Sequence, residues 1–424
     1  MTEQKNVISS LKVNRRTLIK TGLALGATQV IAAPAMLRFA RGETPIKIGM
    51  VDPLTGIYAA LAKHEVTGAQ LAVKEINAKG GVLGRPIELL VEDSANDVGT
   101  GVQKARKLID RDKIQFLVGD VNSGIALALG QVSSEKGVLH VVSGGHTDGV
   151  TGKDCHWNVF RVCNTTWMEC AAVAQEIFDK LGKRWYFFTQ DYAFGHTLES
   201  SFRALLKRMG GEVVGGALFP IGTTDYSAYL INAKAAKPDV LIDLAAGDDG
   251  INSLKQAVQF GLHKDIHIAG AQQELEVLEA LPPEARIGTW TFEWYWKQPG
   301  NKDVERFVAD IRKMNDGKVP TARHWFGYAS VWTYALVANK EKTLDAVKLA
   351  KGLGGMTLPK EVALQKYTPV YRKGDHQLMP TLFVGNAKAS GSDPEDLFDP
   401  TSLVEGSKVA LPESETGCVL KWPA

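Results

Sequence analysis

The strongest constraint on the fold is a regular alternation between short apolar runs and longer stretches with helical periodicity. The short runs are rich in β-branched residues and lie at Ile46–Met50, Ile87–Glu92, 115–119 and Val138–Val142. Between them, apolar side chains recur at the spacing of one helix face over residues 65–78, 102–109 and 124–135. Because the connections are short, this order predicts a parallel sheet with helices on both faces.

The same alternation begins again in the second part of the chain. Its strand-like runs are Trp185–Thr189, Val213–Phe219, Val240–Leu244 and Ile266–Ala269. Two such sets predict an α/β protein with two doubly wound parallel-sheet lobes. Ligands of these sheets bind beyond the carboxyl ends of the strands, and two facing lobes would form a crevice that can close.

The rhythm changes after Trp290. Residues 303–314 and 325–338 have helical patterns, whereas Val370–Arg372 and Thr381–Val384 are predicted to pair as antiparallel strands. These elements complete the two lobes without any repeat or low-complexity block.

The first residues are typical of an export signal. Arg15-Arg16 is followed by Leu18 and Lys20, and residues 21–37 carry no charge, as in twin-arginine leaders. We predict that residues 1–35 are this signal, with cleavage after Ala35 or alternatively after Ala40. A basic tail beside a buried helix and an uncleaved anchor are the other interpretations. Export by this route predicts a periplasmic protein, in a compartment where disulfides persist.

Composition excludes several classes of protein. Hydrophobic residues make up 45% of the 424 residues and charged residues 23%, which suits a folded core. The mean hydropathy of −0.09 argues against many membrane spans. The net charge is only +2, and removal of residues 1–35 leaves 44 basic against 46 acidic residues, so no nucleic-acid partner is expected.

The familiar catalytic motifs are missing. The chain contains no Gly-x-Ser-x-Gly elbow, no His-Glu-x-x-His, no phosphate-binding Walker loop and no Cys-x-x-Cys. His64-Glu65 has no second histidine at zinc spacing and is interpreted as a solvated helix start. We therefore predict a binding protein rather than an enzyme, with no cofactor and no metal.

Polar residues follow two neighbouring strands of the first set. Segments 119–124 and 143–147 combine glycines, hydroxyls and helix starts, which present free N–H groups suited to a carboxylate. Ordinary helix capping explains either segment alone, but two on successive strands indicate a site. Tyr58, after the first strand, is predicted to wall the same crevice or to pack at the surface.

The second set places candidates opposite these. Tyr192 follows the strand Trp185–Thr189 and supplies a ring with a polar tip. Asp248 and Asp249 follow Val240–Leu244, and one of them is predicted to face a ligand ammonium. The alternative for these aspartates is a helix cap in solvent.

The run Ile76–Leu89, followed by Glu92-Asp93, closely resembles the leucine/isoleucine/valine-binding proteins of ABC importers. The Gly119–Ser123 turn and Tyr192–Gly195 add to this resemblance, which covers about residues 45–355. It implies a type I periplasmic binding fold, with two lobes joined by three hinge crossovers, that closes on a small molecule. The implied partner is an inner-membrane ABC permease, and the implied state is a monomer.

The resemblance also implies a domain division. The first lobe would comprise residues 45–163 and 290–355, and the second lobe residues 164–289 and 356–395. Residues 396–424 would form a C-terminal tail.

The resemblance assigns roles residue by residue. Ser123, Gly145 and Thr147 match positions that bind the ligand carboxylate, and Tyr192 matches an aromatic that covers the ligand. Asp249 or Asp248 matches the acid that pairs with the amino group, and Tyr58 matches a wall residue. The chain departs from the family pattern at Gly124 and at His146. We nevertheless include His146 among the predicted ligand-binding residues.

The implied ligand is a branched-chain or related amino acid. The aromatic run over residues 290–296 is heavy for that ligand, and Trp294 is predicted either to line the pocket or to fill a strand core. Relatives of this fold also take up aromatic acids, amides and urea, which are the alternative ligands. A sensor that passes a signal to a regulator is the alternative role.

Four cysteines permit three complete pairings. A Cys155–Cys418 bridge would tie the tail to the body and would suit an oxidising compartment. Cys163 and Cys170 would then be small buried hydrophobes, and Cys155–Cys163 is the alternative bridge.

Overall fold

The computed structural model describes residues 44–423. The predicted export signal and both cleavage positions, Ala35 and Ala40, lie outside the described residues. Over residues 44–423, no helix has both the length and the apolar character needed to cross a bilayer.

Within residues 44–423, the structure contains twelve strands and thirteen α-helices. The strands are β1 (Ile46–Asp52), β2 (Ile87–Asp93), β3 (Phe116–Val118), β4 (Leu139–Val142), β5 (Val159–Arg161), β6 (Arg184–Gln190), β7 (Glu212–Phe219), β8 (Val240–Leu244), β9 (His267–Gln272), β10 (Thr289–Phe292), β11 (Thr381–Ala387) and β12 (Phe398–Glu405). The helices are α1 (Ala59–Ala78), α2 (Val98–Asp110), α3 (Ser123–Lys136), α4 (Thr166–Lys180), α5 (Ala193–Met209), α6 (Ser227–Ala235), α7 (Gly247–Gln259), α8 (Leu275–Ala280), α9 (Lys302–Arg312), α10 (Ala322–Glu341), α11 (Ala346–Leu353), α12 (Lys360–Ala363) and α13 (Gly406–Val409).

These strands form two separate sheets, as predicted. The first is parallel throughout, in the order β2-β1-β3-β4-β5. The second has the order β12-β11-β10-β9-β8-β6-β7, in which β10 to β7 are parallel and β11 and β12 are antiparallel. Central strands such as β4 and β8 are buried along their whole length, because helices cover both faces of each sheet.

Between residue 44 and the end of β12, the chain passes between the two lobes three times. The crossings lie between β5 and α4, between β10 and α9, and at Met379-Pro380 just before β11. Three crossings near one edge form a hinge, so the fold is the two-lobed α/β arrangement that the sequence predicts.

The observed lobe boundaries differ from the predicted ones. Strand β10 belongs to the second sheet, whereas the prediction assigns residues from 290 onwards to the first lobe. Residues 356–378 stay with the first lobe, since Leu358, Tyr371 and Leu378 lie in its core. The tail boundary at 396 is also displaced, because β12 completes the edge of the second sheet. Apolar periodicity shows that a segment is buried, but it does not show which sheet it joins.

The predicted antiparallel pair is wrong in its partners. Val370 bridges Thr357 and Tyr371 bridges Leu378, whereas β11 pairs with β10 and β12. The turn over residues 372–377 pairs Tyr371 with Leu378, nearby in the chain, so Val370–Arg372 is not available to β11.

Helices α1 and α10 cross at very short range in the first lobe. A Cβ at Gly68 would lie 1.8 Å from the His324 carbonyl oxygen, and one at Gly327 would lie 1.8 Å from the Glu65 carbonyl oxygen. Only glycine fits at these two positions. The crossing brings Glu65 of α1 beside Arg323 at the start of α10.

The C-terminal tail returns to the first lobe after β12. Cys418 is bonded to Cys155, with a Cα–Cα distance of 5.5 Å. Cys163 and Cys170 are free thiols buried in the interior. The disulfide therefore attaches the tail covalently to the first lobe, although β12 belongs to the second sheet.

Candidate functional site

The two lobes meet at the carboxyl ends of their strands. Tyr58 and Val121 of the first lobe share an apolar cluster with Phe194 and Leu198 of the second. The Asp248 amide donates to the Ile57 carbonyl across the same boundary, at 3.2 Å. These contacts show that the described conformation is closed.

Ser123 begins α3 without capping it. The Asn122 side chain accepts from the Gly124 and Ile125 amides and is the cap. Ser123 is therefore free for another contact, and its Oγ accepts from the Thr147 amide at 3.2 Å. This bond joins the two predicted carboxylate-binding segments, which the sequence placed after neighbouring strands.

A buried arginine fixes the second of these segments from behind. Arg161 is 0% exposed, and its guanidinium donates to the carbonyls of Gly145 (3.1 Å) and Thr147 (2.6 Å). It also donates to Gln377 Oε1 and Thr151 Oγ1, each at 2.6 Å. Arg161 thus occupies the carbonyl oxygens of Gly145 and Thr147 in this turn.

Two glycines allow the turn to approach its surroundings. A Cβ at Gly144 would lie 2.4 Å from both Arg323 Nη1 and Glu65 Oε1, and a Cβ at Gly145 would lie 2.5 Å from Ala126 Cβ. Neither position has room for a side chain. The turn therefore lies directly against the charged groups of α1 and α10.

Aromatic rings form one wall of the site. The Tyr58 and Tyr192 ring centroids are 6.3 Å apart, and those of Tyr192 and Phe194 are 5.8 Å apart. The His146 ring makes edge contacts with Phe194 and Phe326, each at 5.9 Å. Burial raises the pKa of both tyrosines, and the Tyr58 hydroxyl has no hydrogen-bond partner within residues 44–423.

His146 lies among carboxylates at the hinge. Its Nε2 is 2.5 Å from Glu293 Oε2 and 3.6 Å from Glu169 Oε1. The Gln272 amide nitrogen lies 3.2 Å from the same Nε2. Burial lowers the pKa of His146 although Glu293 opposes the shift, and burial together with Glu293 raises the pKa of Glu169 well above its usual value.

A charged network crosses the cleft beside this cluster. Arg323 of the first lobe contacts Glu65 at 2.9 Å and binds Glu274 of the second lobe through Nε at 2.8 Å and through Nη2. Burial raises the pKa of Glu274 to about 7, although Arg323 opposes the shift. Glu65 is therefore a buried partner of Arg323, and the prediction of a solvated helix start at His64-Glu65 is wrong.

A second bridge reinforces the first. Glu276 accepts from Thr321 Oγ1 at 2.6 Å and lies 2.7 Å from His64 Nδ1. Burial would raise the pKa of Glu276, but the contacts with His64 and Thr321 lower it instead. The Glu274 bridge joins the loop after β9 to α10, and the Glu276 bridge joins α8 to α1 and to Thr321, which directly precedes α10.

The predicted aspartates lie apart from this network. Asp248 has an exposed side chain, whereas Asp249 is 1% exposed. The Asp249 carboxylate accepts from Gln190 Nε2 (2.5 Å), the Gly222 amide (2.9 Å) and the Tyr226 hydroxyl (3.2 Å). Burial raises the pKa of Asp249. Asp249 is thus held inside the second lobe by three donors.

Trp294 fills the core of the first lobe. Its indole N–H donates to the Leu364 carbonyl at 2.8 Å, and its ring packs on Phe307. Trp294 is therefore a core residue, as in the second interpretation, but it lies beyond the end of β10 and is not part of a strand.

The sequence analysis missed several residues of the site, among them Arg161, Glu169, Gln272, Glu274, Glu276, Glu293 and Arg323. Gln272 is the last residue of β9 and Glu274 lies just beyond it, so the strand-end rule applied to Ile266–Ala269 would have found them. Glu293 likewise follows β10. Arg161 and Arg323 carry no local signal, since a charged residue in a helix or strand is usually exposed.

Comparisons with known proteins agree with this architecture. A family model described as periplasmic binding protein matches residues 45–392. The chain is 31% identical over 352 residues to Leu/Ile/Val-binding protein homolog 7 of Brucella suis biovar 1, covering 79% of this chain and 86% of that protein.

Solved structures share the fold. A periplasmic binding protein from Burkholderia mallei superposes with a TM-score of 0.83 at 26% identity, covering 88% of this chain and 98% of that one. An ABC transporter solute binding protein from Rhodopseudomonas palustris BisB5, in complex with 3,4-dihydroxy benzoic acid, gives 0.77 at 21% identity, covering 85% and 98%.

Proposed function

Since this chain belongs to the periplasmic binding protein family, we propose that it is the solute receptor of an ABC importer. It binds a small carboxylate-bearing solute, an amino acid, between its two lobes in the periplasm, to which the twin-arginine signal directs it. The closed, solute-bound monomer then docks on the permease in the inner membrane. The receptor releases its solute unaltered, which distinguishes it from an enzyme.

The observation that carries this proposal is the pairing of opposite chemistries across the closed cleft. The first lobe contributes the joined turns of Ser123 and Thr147, whose hydroxyls and amides suit a carboxylate. The second lobe contributes the buried carboxyl of Glu274, whose Oε2 has no partner within the described residues. An α-amino acid carries both complementary groups.

Roles follow for the other predicted residues. Gly145 offers its amide beside Thr147, and Tyr58 and Tyr192 enclose the side chain of the solute. His146 limits the cleft on the hinge side. Asp249 supports this wall through Gln190, whose side chain also accepts from the Ala246 amide at 3.2 Å.

An aromatic acid is a second candidate solute. The rings of Tyr58, Tyr192, Phe194 and Phe326 form a wall suited to a flat ligand, because aromatic pairs stack or meet edge to face. The Rhodopseudomonas palustris protein, which shares the fold, is described in complex with 3,4-dihydroxy benzoic acid. Such an acid has a carboxylate for Ser123 but no ammonium for Glu274.

Isothermal titration calorimetry with L-leucine and with benzoate tests the proposal on the mature protein. We expect L-leucine to bind one-to-one, Ser123→Ala to weaken it by about tenfold, and Glu274→Gln to weaken it further. The affinity for benzoate should fall in Ser123→Ala and stay unchanged in Glu274→Gln. The matched control is Ser200→Ala, an exposed serine on α5.

Equal affinities of wild type and Ser123→Ala for every carboxylate tested would contradict the carboxylate role. An L-leucine affinity unchanged by Glu274→Gln would contradict the ammonium role. Chemical conversion of the bound solute on prolonged incubation would contradict the receptor function.

A further inference from the structure

Three metal-ligating side chains converge at the hinge from three parts of the chain. His146 lies in the turn after β4, Glu169 in the first turn of α4, and Glu293 in the crossing after β10. One potential ligand atom from each lies within 4.8 Å of the other two. The three side chains are 0–2% exposed, so water does not solvate their charges.

Glu169 lacks the donors that a buried carboxylate needs, whereas Glu293 accepts from Asn164 and Gln272. Neither oxygen of Glu169 has a hydrogen-bond partner within residues 44–423. A buried carboxylate without a partner is costly, because burial removes its hydration without replacement. Glu169 Oε1 instead lies 3.6 Å from His146 Nε2, inside the cluster.

The nearby arginines donate no hydrogen bond to Glu169 or Glu293, although their charges partly offset the rise in the pKa of Glu169. Arg161 donates to two carbonyls, one amide oxygen and one hydroxyl, and Arg323 binds Glu65 and Glu274. The donors of both arginines are thus used elsewhere, and no guanidinium contacts the carboxylates of this pocket.

We propose that His146, Glu169 and Glu293 form a binding site for one divalent transition-metal ion, with Zn²⁺ as the fitting probe. One imidazole nitrogen and two carboxylate oxygens are ligands that Zn²⁺ takes, and the ion's two charges balance the two carboxylates. The backbone amide of Asn164 donates to Glu293 Oε1 at 2.5 Å and holds that carboxylate in place. Glu293 Oε2 then lies on the His146 side.

The site spans the boundary between the lobes. His146 belongs to the first lobe, Glu169 to the second, and Glu293 to a crossing between them, so a bound ion would take ligands from both sides of the hinge. The ion would thereby favour the arrangement of the lobes in which its three ligands converge.

The test uses the full mature chain, freed of metal with a chelator, and titrates it with Zn²⁺ alone in a calorimeter. We expect one ion per chain, and at least a tenfold loss of affinity in Glu169→Gln and in Glu293→Gln. The control His196→Gln removes an exposed histidine paired with Asp191 and should leave the site intact. Thermal unfolding without metal shows whether each variant is folded.

Absence of a stoichiometric Zn²⁺ site in the folded wild type would overturn the proposal, as would equal affinity in Glu169→Gln. A folded Glu169→Gln that loses L-leucine affinity while wild type binds no Zn²⁺ would assign the cluster to the solute instead. Because Zn²⁺ is titrated without solute, this result is independent of the proposed receptor function.

Discussion

At the scale of single residues, the molecule is marked by ionisable groups buried without full compensation. Asp243, at the end of β8, accepts from Ser253 Oγ at 2.7 Å, while its Oδ1 has no partner among the described residues. Burial raises the pKa of Asp243 to about 7, and Asp249 adds to the shift. A carboxyl with a raised pKa takes up a proton on folding, so ionised Asp243 destabilises the native state above pH 7.

Asp243→Asn should therefore stabilise the protein at pH 8 by on the order of 2–4 kcal/mol. The asparagine keeps an acceptor for Ser253 and carries no charge. As pH falls from 8 to 5, wild-type Asp243 becomes protonated and the gain should shrink. The measurement is the thermal unfolding midpoint at both pH values, with the exposed Asp265→Asn as the control. If the difference between the unfolding midpoints of Asp243→Asn and wild type is the same at pH 5 and at pH 8, this account is wrong.

Residue patterns predicted the polar turns but not their partners. Ser123, Thr147 and Tyr58 follow strands, and that position is visible in the chain. The burial of Arg161 and Arg323 depends on a fold that brings Gln377 and Glu274 to them from more than 45 residues away. No local pattern carries such distant pairings.

At the scale of elements, the crossing of α1 and α10 positions the charged network. Gly68 and Gly327 let the helix backbones touch, and this contact places Glu65 opposite Arg323. The sequence predicted both helices because each has helical periodicity. It did not predict their contact, since a glycine inside a helix signals only a lower propensity.

Gly327→Ala should push the two helices apart. The alanine Cβ would lie 1.8 Å from the Glu65 carbonyl oxygen. Because that oxygen belongs to the backbone, one of the two helices would have to shift. We expect a loss of about 3 kcal/mol in the free energy of unfolding, together with weaker closure. Gly130→Ala in α3 is the matched control, because its Cβ would meet only ordinary contacts at 3.5 Å. Equal unfolding midpoints for the two variants would contradict the close crossing.

At the scale of the whole molecule, the sequence predicted two parallel sheets because strand and helix signals alternate so regularly. It did not predict the full second sheet, whose strands β10, β11 and β12 come from segments without that rhythm. The lobes are held together by apolar contacts around Tyr58 and by the bridges of Glu274 and Glu276. Both bridges cross the boundary between the lobes, so we expect a bound solute and the bridges to favour closure together.

Small-angle X-ray scattering of the mature protein tests this claim most directly. The protein is unfolded, dialysed free of solute and refolded, and its scattering is then recorded before and after saturation with L-leucine. The account predicts a radius of gyration that falls on addition, towards the value calculated for the closed structure. A scattering curve that stays the same while calorimetry records one-to-one binding would contradict closure of the two lobes around a solute.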